Sequence, residues 1–105
     1  MTAPIELSHW INGARRGAGK VESLNPSDTR EVVALAPSGG AAEVDEAVAA
    51  ASAAFDGWAN ASPEVRSDVL DRAGSLLMER RESVGELLSR EEGKTLAEGI
   101  GETVR

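Results

Sequence analysis

The chain has 105 residues, of which 41% are hydrophobic and 28% charged, and its formal net charge is −7 at pH 7. This acidic balance argues against nucleic-acid binding, because phosphates require clustered lysines and arginines. No apolar stretch approaches the roughly 20 residues of a membrane-spanning helix. The first residues also lack the basic and apolar regions of a signal peptide, so the sequence predicts a cytoplasmic protein with no membrane partner.

Two residue types that often carry chemistry are scarce. The chain contains no cysteine and a single histidine, His9. The lack of cysteine excludes disulfides, thiolate metal sites and a cysteine nucleophile within these residues, and one histidine cannot form a histidine-rich zinc site. Because it lies at the start of a predicted strand, His9 is expected to be an edge residue rather than a catalytic base.

The first third of the chain, about residues 8–36, predicts short strands joined by turns. Asn12-Gly13 is a strong signal for a hairpin turn, because both residue types tolerate positive φ. Residues 21–24 alternate between apolar and polar, as a half-buried strand does. Residues 25–28 form a predicted turn, and residues 32–36 form the next apolar run.

The remainder, about residues 41–105, predicts three to four α-helices. Apolar side chains recur at three and four residues from Val44 to Trp58, which describes one face of a helix that begins near Gly40. The next helix has a clear start, because Ser62 is a favourable N-cap and Pro63 follows at the first helical position.

The later helix boundaries are also marked in the sequence. Charged residues at 79–82 interrupt the apolar face and predict a break near Arg81, and Gly93 is suited to the left-handed conformation that follows a helix. Residues 95–98 form a capping box that opens a last helix. That helix is still in progress at Arg105, so the sequence looks like a segment of a longer protein.

Several glycine motifs suggest phosphate binding but fail on spacing. Gly19-Lys20 and Gly93-Lys94-Thr95 resemble the end of a P-loop, yet the glycine required five positions earlier is replaced by Ala14 and Leu88. Gly99-Ile100-Gly101 begins a dinucleotide-binding pattern but lacks its third glycine and the preceding strand. Gly99 and Gly101 are interpreted as helical glycines that permit close packing.

Paired carboxylates and tryptophans are the remaining candidates. Glu91–Glu92 and Asp68–Asp71 could act as acid–base pairs, but on highly charged helices they are expected to form a solvated face. Trp10 and Trp58 are expected to anchor packing rather than to stack on bases. The residues themselves therefore assign no catalytic group to the chain.

The order of several landmarks is more informative than any one of them. They are Trp10-Ile11-Asn12-Gly13, Leu24-Asn25-Pro26-Ser27, the alanine-rich run 43–51, Ser62-Pro63, residues 90–98 and Gly101-Glu102-Thr103-Val104. In this order they resemble the N-terminal region of the aldehyde dehydrogenase superfamily, over about residues 8–105. Residues 90–98 are similar to bacterial semialdehyde dehydrogenases of the ketoglutarate semialdehyde type.

The resemblance implies an α/β parent fold. Residues 1–105 would supply an N-terminal α+β piece of its cofactor-binding domain, and the catalytic domain would be absent. Members of the superfamily oxidise an aldehyde to a carboxylate with NAD or NADP, using a cysteine nucleophile, a glutamate that activates water, and an asparagine in the oxyanion site. The resemblance places these groups, and the glycines that bind the cofactor, downstream of Arg105. The chain alone is thus expected to be inactive and to bind no cofactor, and the complete enzyme is expected to be a homo-oligomer.

The resemblance also implies one minor metal site. Many members hold a structural monovalent cation with backbone oxygens before the Asn-Pro and a carboxylate from a later helix. The matching positions are Ser23, Leu24 and Glu102, and a further ligand would lie downstream.

Three interpretations stay open. The chain is a partial aldehyde dehydrogenase, from a split gene, a frameshift or an incompletely read gene; or it is an interaction module that associates with a complementing fragment or a full-length dehydrogenase subunit; or it is a small α+β protein with a fortuitous resemblance. Under the first two, its helix faces lack partners, so the chain alone is expected to be weakly stable or partly molten.

Overall fold

A computed structural model describes residues 2–105. Five strands come first: β1 Ile5–Glu6, β2 His9–Ile11, β3 Ala14–Arg16, β4 Val21–Asn25 and β5 Asp28–Ala36. Four helices follow: α1 Ala41–Ala59, α2 Pro63–Glu79, α3 Arg81–Glu92 and α4 Leu96–Val104. The predicted order of short strands and then helices is confirmed, and β1 is an addition that the sequence did not indicate.

Three of the strands form one sheet in the order β1-β5-β4, with β1 parallel and β4 antiparallel to β5. The connection from β4 to β5 is a tight turn in which the Ser27 N–H donates to Asn25 Oδ1 at 2.9 Å. The β4–β5 pairing is irregular on both sides of Leu24. Because β5 is the central strand, it holds the most buried side chain, Val33, which is 0% exposed.

The other two strands form a separate hairpin. β2 and β3 pair antiparallel, with His9 opposite Arg16 and Ile11 opposite Ala14. The turn between them has φ of 51° at Asn12 and 71° at Gly13. Positive φ at both central residues is the requirement of a type I′ turn, so the predicted hairpin is confirmed.

Local signals set the helix boundaries as predicted. The Ser62 hydroxyl caps α2, and Arg80 separates α2 from α3, which confirms the predicted break. Gly93 ends α3 with φ of 80°, and Thr95 and Glu98 form the capping box of α4. Helix α1 ends at Ala59, and Asn60 is its C-cap.

Helices α3 and α4 pack against each other through two buried glycines, Gly85 and Gly99. A Cβ atom on Gly85 would lie 2.6 Å from Ile100 Cγ1, and a Cβ on Gly99 would collide with the Gly85 carbonyl oxygen. The prediction of close packing through helical glycines is confirmed for Gly99. It is wrong for Gly101, which has open space around it.

Helices α1 and α2 contain no buried residue. The radius of gyration is 16.8 Å, whereas a compact domain of this length has about 13 Å. The accessible surface is 7677 Å², against about 5,600 Å² for a compact protein of this mass. The prediction that both tryptophans anchor packing is wrong within this chain, because Trp10 is 68% and Trp58 47% exposed.

Between residues 2 and 105, no helix combines the length and the apolar character needed to cross a bilayer.

Candidate functional site

The residues assigned to a cation site lie on two different elements. Ser23 and Leu24 belong to β4, and Glu102 belongs to α4. The carboxylate that contacts Ser23 comes from α3 instead, since Ser23 Oγ donates a hydrogen bond to Glu91 Oε1 at 3.1 Å. Glu102 accepts from Lys94 Nζ at 2.7 Å. The grouping of Ser23, Leu24 and Glu102 in one cation site stays a prediction.

A half-buried carboxylate joins α3 to the sheet close to Ser23. Glu31 on β5 accepts from Asn25 Nδ2 at 2.7 Å, and from Arg90 Nε at 2.9 Å and Nη2 at 2.6 Å. The hydrogen bond from Asn25, and then that from Arg90, lowers the pKa of Glu31 below its ordinary value. Both carboxylate oxygens are engaged, so Glu31 is a structural anion rather than a proton acceptor for chemistry.

Lys94 lies on the turn between α3 and α4, where two carboxylates contact its ammonium group. Its Nζ lies 2.7 Å from Glu102 Oε1 and 2.6 Å from Glu92 Oε2. The hydrogen bond to Glu102, followed by that to Glu92, raises the pKa of Lys94. An ammonium held in this way is not free to bind phosphate, and it follows helix α3 rather than a strand. Both observations agree with the rejection of the P-loop interpretation.

Among residues 2–105, one place has the order strand, glycine turn and helix that phosphate sites use, namely β5, Gly39-Gly40 and α1. There the Gly40 N–H donates to Glu43 Oε2 at 2.7 Å. This backbone hydrogen bond lowers the pKa of Glu43, and the carboxylate occupies the position where a phosphate would bind. The residues therefore do not fit the phosphates of NAD or NADP.

His9 lies next to the same turn, and a Cβ on Gly39 would be 3.3 Å from its Nε2. This nitrogen is buried and has no hydrogen-bond partner. His9 is thus a half-buried residue of the hairpin that faces backbone. No nucleophile contacts it among the hydrogen bonds of the described residues.

The carboxylate pairs do not form acid–base sites. Asp68 and Asp71 are exposed on α2, while Glu91 and Glu92 turn to separate partners, Ser23 and Lys94. Within residues 2–105 there is also no group of three or more histidine, cysteine, aspartate or glutamate side chains placed to hold a metal ion. Glu91 and Glu92 therefore serve structural contacts in the part of the chain that the structure describes.

Two helices expose apolar side chains, which we name the uncovered helix faces. They are the following exposed side chains on α1 and α2: Val44, Val48, Phe55, Trp58, Val65, Val69, Leu70, Leu77 and Met78. Trp10 on the hairpin lies beside a groove that continues along the alanines of α1. These exposed side chains are the main apolar surface of the described helices.

The contacts that fix α3 on the sheet were not apparent from the sequence. The Arg90–Glu31 pair joins residues 59 apart, and the Ser23–Glu91 pair joins residues 68 apart. A single charged or hydroxyl side chain carries no signal for a partner at such a distance. Only the exposed helix faces could be inferred in advance, because helical periodicity predicts an apolar face whether or not a partner is present.

Comparisons with known proteins connect this scaffold to a family of enzymes. The family model described as "Aldehyde dehydrogenase family" matches residues 10–105. The human 2-aminomuconic semialdehyde dehydrogenase is 40% identical over 96 residues, which are 90% of this chain and 20% of that protein. The alpha-ketoglutarate semialdehyde dehydrogenase of Haloferax volcanii is 39% identical over 108 residues, covering 100% of this chain and 22% of that protein.

A third relative, the 3-sulfolactaldehyde dehydrogenase of Pseudomonas putida, is 41% identical over 93 residues, which are 89% of this chain and 18% of that protein. The chain thus spans about a fifth of the length of the curated relatives it matches. The predicted resemblance, including that to the ketoglutarate semialdehyde type, is confirmed.

Proposed function

Because the chain belongs to the aldehyde dehydrogenase family, we propose that it is the N-terminal scaffold segment of an NAD(P)-dependent enzyme that oxidises an aldehyde to a carboxylate. The observation that carries this proposal is the family match over residues 10–105. The complete enzyme is proposed to be a cytoplasmic homo-oligomer.

The proposed substrate is a semialdehyde, an aldehyde that also carries a carboxylate. Two of the relatives described above are named for semialdehydes, and a third, 36% identical over 101 residues, is the malonate-semialdehyde dehydrogenase of Pseudomonas aeruginosa. Their names support the class of substrate, and the choice within the class is left to residues outside this chain.

The 105 residues are proposed to have no turnover of their own. They contain no cysteine to act as the nucleophile. The carboxylates of Glu31 and Glu43 are committed to structural hydrogen bonds. The α1 N-terminus does not fit the cofactor phosphates, so no hydride transfer is assigned to these residues. What the chain supplies is a sheet and four helices on which the remainder of an enzyme can pack.

A chimera tests the scaffold role. Residues 10–105 replace the aligned segment of the Haloferax volcanii alpha-ketoglutarate semialdehyde dehydrogenase, and formation of NAD(P)H from that semialdehyde is followed. We expect kcat within about tenfold of the parent, a change of about 1.4 kcal/mol in activation free energy. A soluble, folded chimera with no activity would contradict the role. A matched chimera with Gly85→Leu, which cannot pack α3 on α4, should lose both folding and activity.

A second candidate function is that of an interaction module, which binds a complementing fragment or a full-length dehydrogenase subunit. The exposed apolar surface of α1 and α2 favours it, because about 2,000 Å² of excess accessible surface is as large as one side of an extensive interface. Coexpression with a family member should then yield a complex with a higher melting temperature than the chain alone. A monodisperse, cooperatively unfolding monomer that captures no dehydrogenase would exclude this function.

A further inference from the structure

The carboxylate of Glu102 already has a positive partner within the chain. Lys94 Nζ lies 2.7 Å from Glu102 Oε1 and 2.6 Å from Glu92 Oε2. The Lys94 side chain is only 18% exposed, whereas the two carboxylates are about half exposed. The ammonium is therefore the enclosed centre of this cluster, and the two anions flank it.

The backbone on both sides of Lys94 fixes the position from which its side chain extends. Gly93 adopts φ of 80° and ends α3, and Ser89 Oγ donates to the Lys94 carbonyl oxygen at 2.6 Å. Thr95, the next residue, is the N-cap of α4. Because the backbone on both sides is fixed, little further backbone entropy is lost when the ammonium reaches Glu102.

Ser23, another residue of the predicted cation site, makes its side-chain contact outside this cluster. Ser23 donates to Glu91 instead, and it lines, with Leu87, a small apolar cavity between the sheet and α3. Glu102 does not line that cavity. Ser23 and Glu102, which the resemblance groups in one site, are thus engaged in two different sets of contacts.

We propose that Lys94 is the built-in counter-ion of Glu102 and takes the place of the monovalent cation at this carboxylate. Two carboxylates and one ammonium leave a single net negative charge. A sodium or potassium ion on Glu102 would have to displace the ammonium or lie beside a like charge. The hydrogen bonds from Nζ also carry direction, which joins the end of α3 to α4 in a defined geometry. This inference does not depend on the proposed enzymatic function.

The experiment compares thermal midpoints of the full chain in NaCl, KCl and tetramethylammonium chloride at equal ionic strength. We expect any difference in midpoint among the three salts to be the same in the wild type and in Glu102→Gln, because Glu102 needs no metal ion. Lys94→Gln should lower the midpoint. Lys20→Gln, at the other lysine of the chain, which is exposed, should not lower it. A midpoint that is higher in NaCl or KCl, with the difference abolished by Glu102→Gln, would overturn the proposal. A difference that survives Glu102→Gln would support it, because the ion would then bind elsewhere.

A local measurement keeps the test valid if the chain unfolds without a sharp transition. The side-chain NMR signals of Lys94 are recorded in NaCl and in tetramethylammonium chloride, for the wild type and for Glu102→Gln. We expect the Lys94 signals to differ between the two proteins, since one carboxylate partner is lost, and to be the same in the two salts. Lys94 signals that are identical in the two proteins, or a shift of the Glu102 carboxyl resonance on addition of NaCl, would contradict the assignment.

Discussion

At the scale of single residues, the chain is held together by a few polar contacts between distant segments. Arg90 and Glu31 attach α3 to β5, and Ser23 and Glu91 attach the same helix to β4. Arg90 reaches one carboxylate oxygen with two guanidinium nitrogens, and such charge-assisted contacts are stronger than neutral ones. These contacts hold α3 against the three-stranded sheet.

The lowered pKa of Glu31 makes part of the stability depend on pH. A carboxyl whose pKa is lower in the folded state stabilises the fold above its unfolded pKa, and that contribution is lost as pH falls through the folded value. We therefore expect Glu31→Gln to lower the urea midpoint at about pH 7, and the gap to wild type to narrow below about pH 4.

The matched control is Glu22→Gln, because Glu22 is exposed on β4 and makes no side-chain hydrogen bond within the described part of the chain. It should leave the midpoint nearly unchanged at both pH values. If the difference in urea midpoint between wild type and Glu31→Gln stays constant across this pH range, the Arg90–Glu31 pair is not the source of the pH dependence.

At the scale of elements, local signals in the sequence predicted where helices begin and end, but they did not predict which elements pack against each other. Ser62, Gly93 and the Thr95–Glu98 capping box fix helix ends through contacts within four residues, so they can be read without a fold. The parallel pairing of β1 with β5 has no such signal, because two residues are too few for a pattern. The exposure of Trp10 was not predicted either, because the burial of a side chain depends on which other segments cover it.

The α3–α4 contact gives a test at this scale. Gly85→Ala places a Cβ 2.6 Å from Ile100 Cγ1 and 2.7 Å from its backbone atoms, which cannot move aside. Overpacking of this kind costs about 1–3 kcal/mol, which exceeds the gain of at most about 1 kcal/mol from replacing a helical glycine by alanine. We expect a lower unfolding midpoint in the chain or in the chimera.

Gly101→Ala is the matched control, because it lies in α4 with open space around its Cα. Here helix propensity acts alone, and the variant should be as stable as wild type or up to about 1 kcal/mol more stable. If Gly85→Ala and Gly101→Ala are both more stable than wild type by the same amount, α3 and α4 do not approach each other as closely as described.

At the scale of the whole molecule, the chain is an extended scaffold measuring 46 × 33 × 17 Å. Its core is confined to the hairpin and the central strand, where Ile11, Val33 and Ala34 are buried. Phe55 on α1 is 67% exposed, and no residue of α1 or α2 is buried. Such a distribution suits a segment whose helices are covered by further protein.

The uncovered helix faces predict the behaviour of the isolated chain. It should bind a hydrophobic dye such as ANS and unfold over a broad range, with helical far-UV circular dichroism but a weak near-UV signal. In the chimera, the same faces should be covered and dye binding should fall. A sharp thermal transition with a strong near-UV signal in the isolated chain would contradict this expectation.

The most direct measurement is a turnover assay of the purified 105-residue chain, with a semialdehyde and either NAD or NADP. The chain contains no cysteine, and the N-terminus of α1 is closed by its own glutamate, Glu43. We predict no NAD(P)H above the rate without protein, whereas the chimera forms NAD(P)H from the same mixture. Sustained NAD(P)H formation by the chain alone would contradict the account, because it would require chemistry that these residues do not provide.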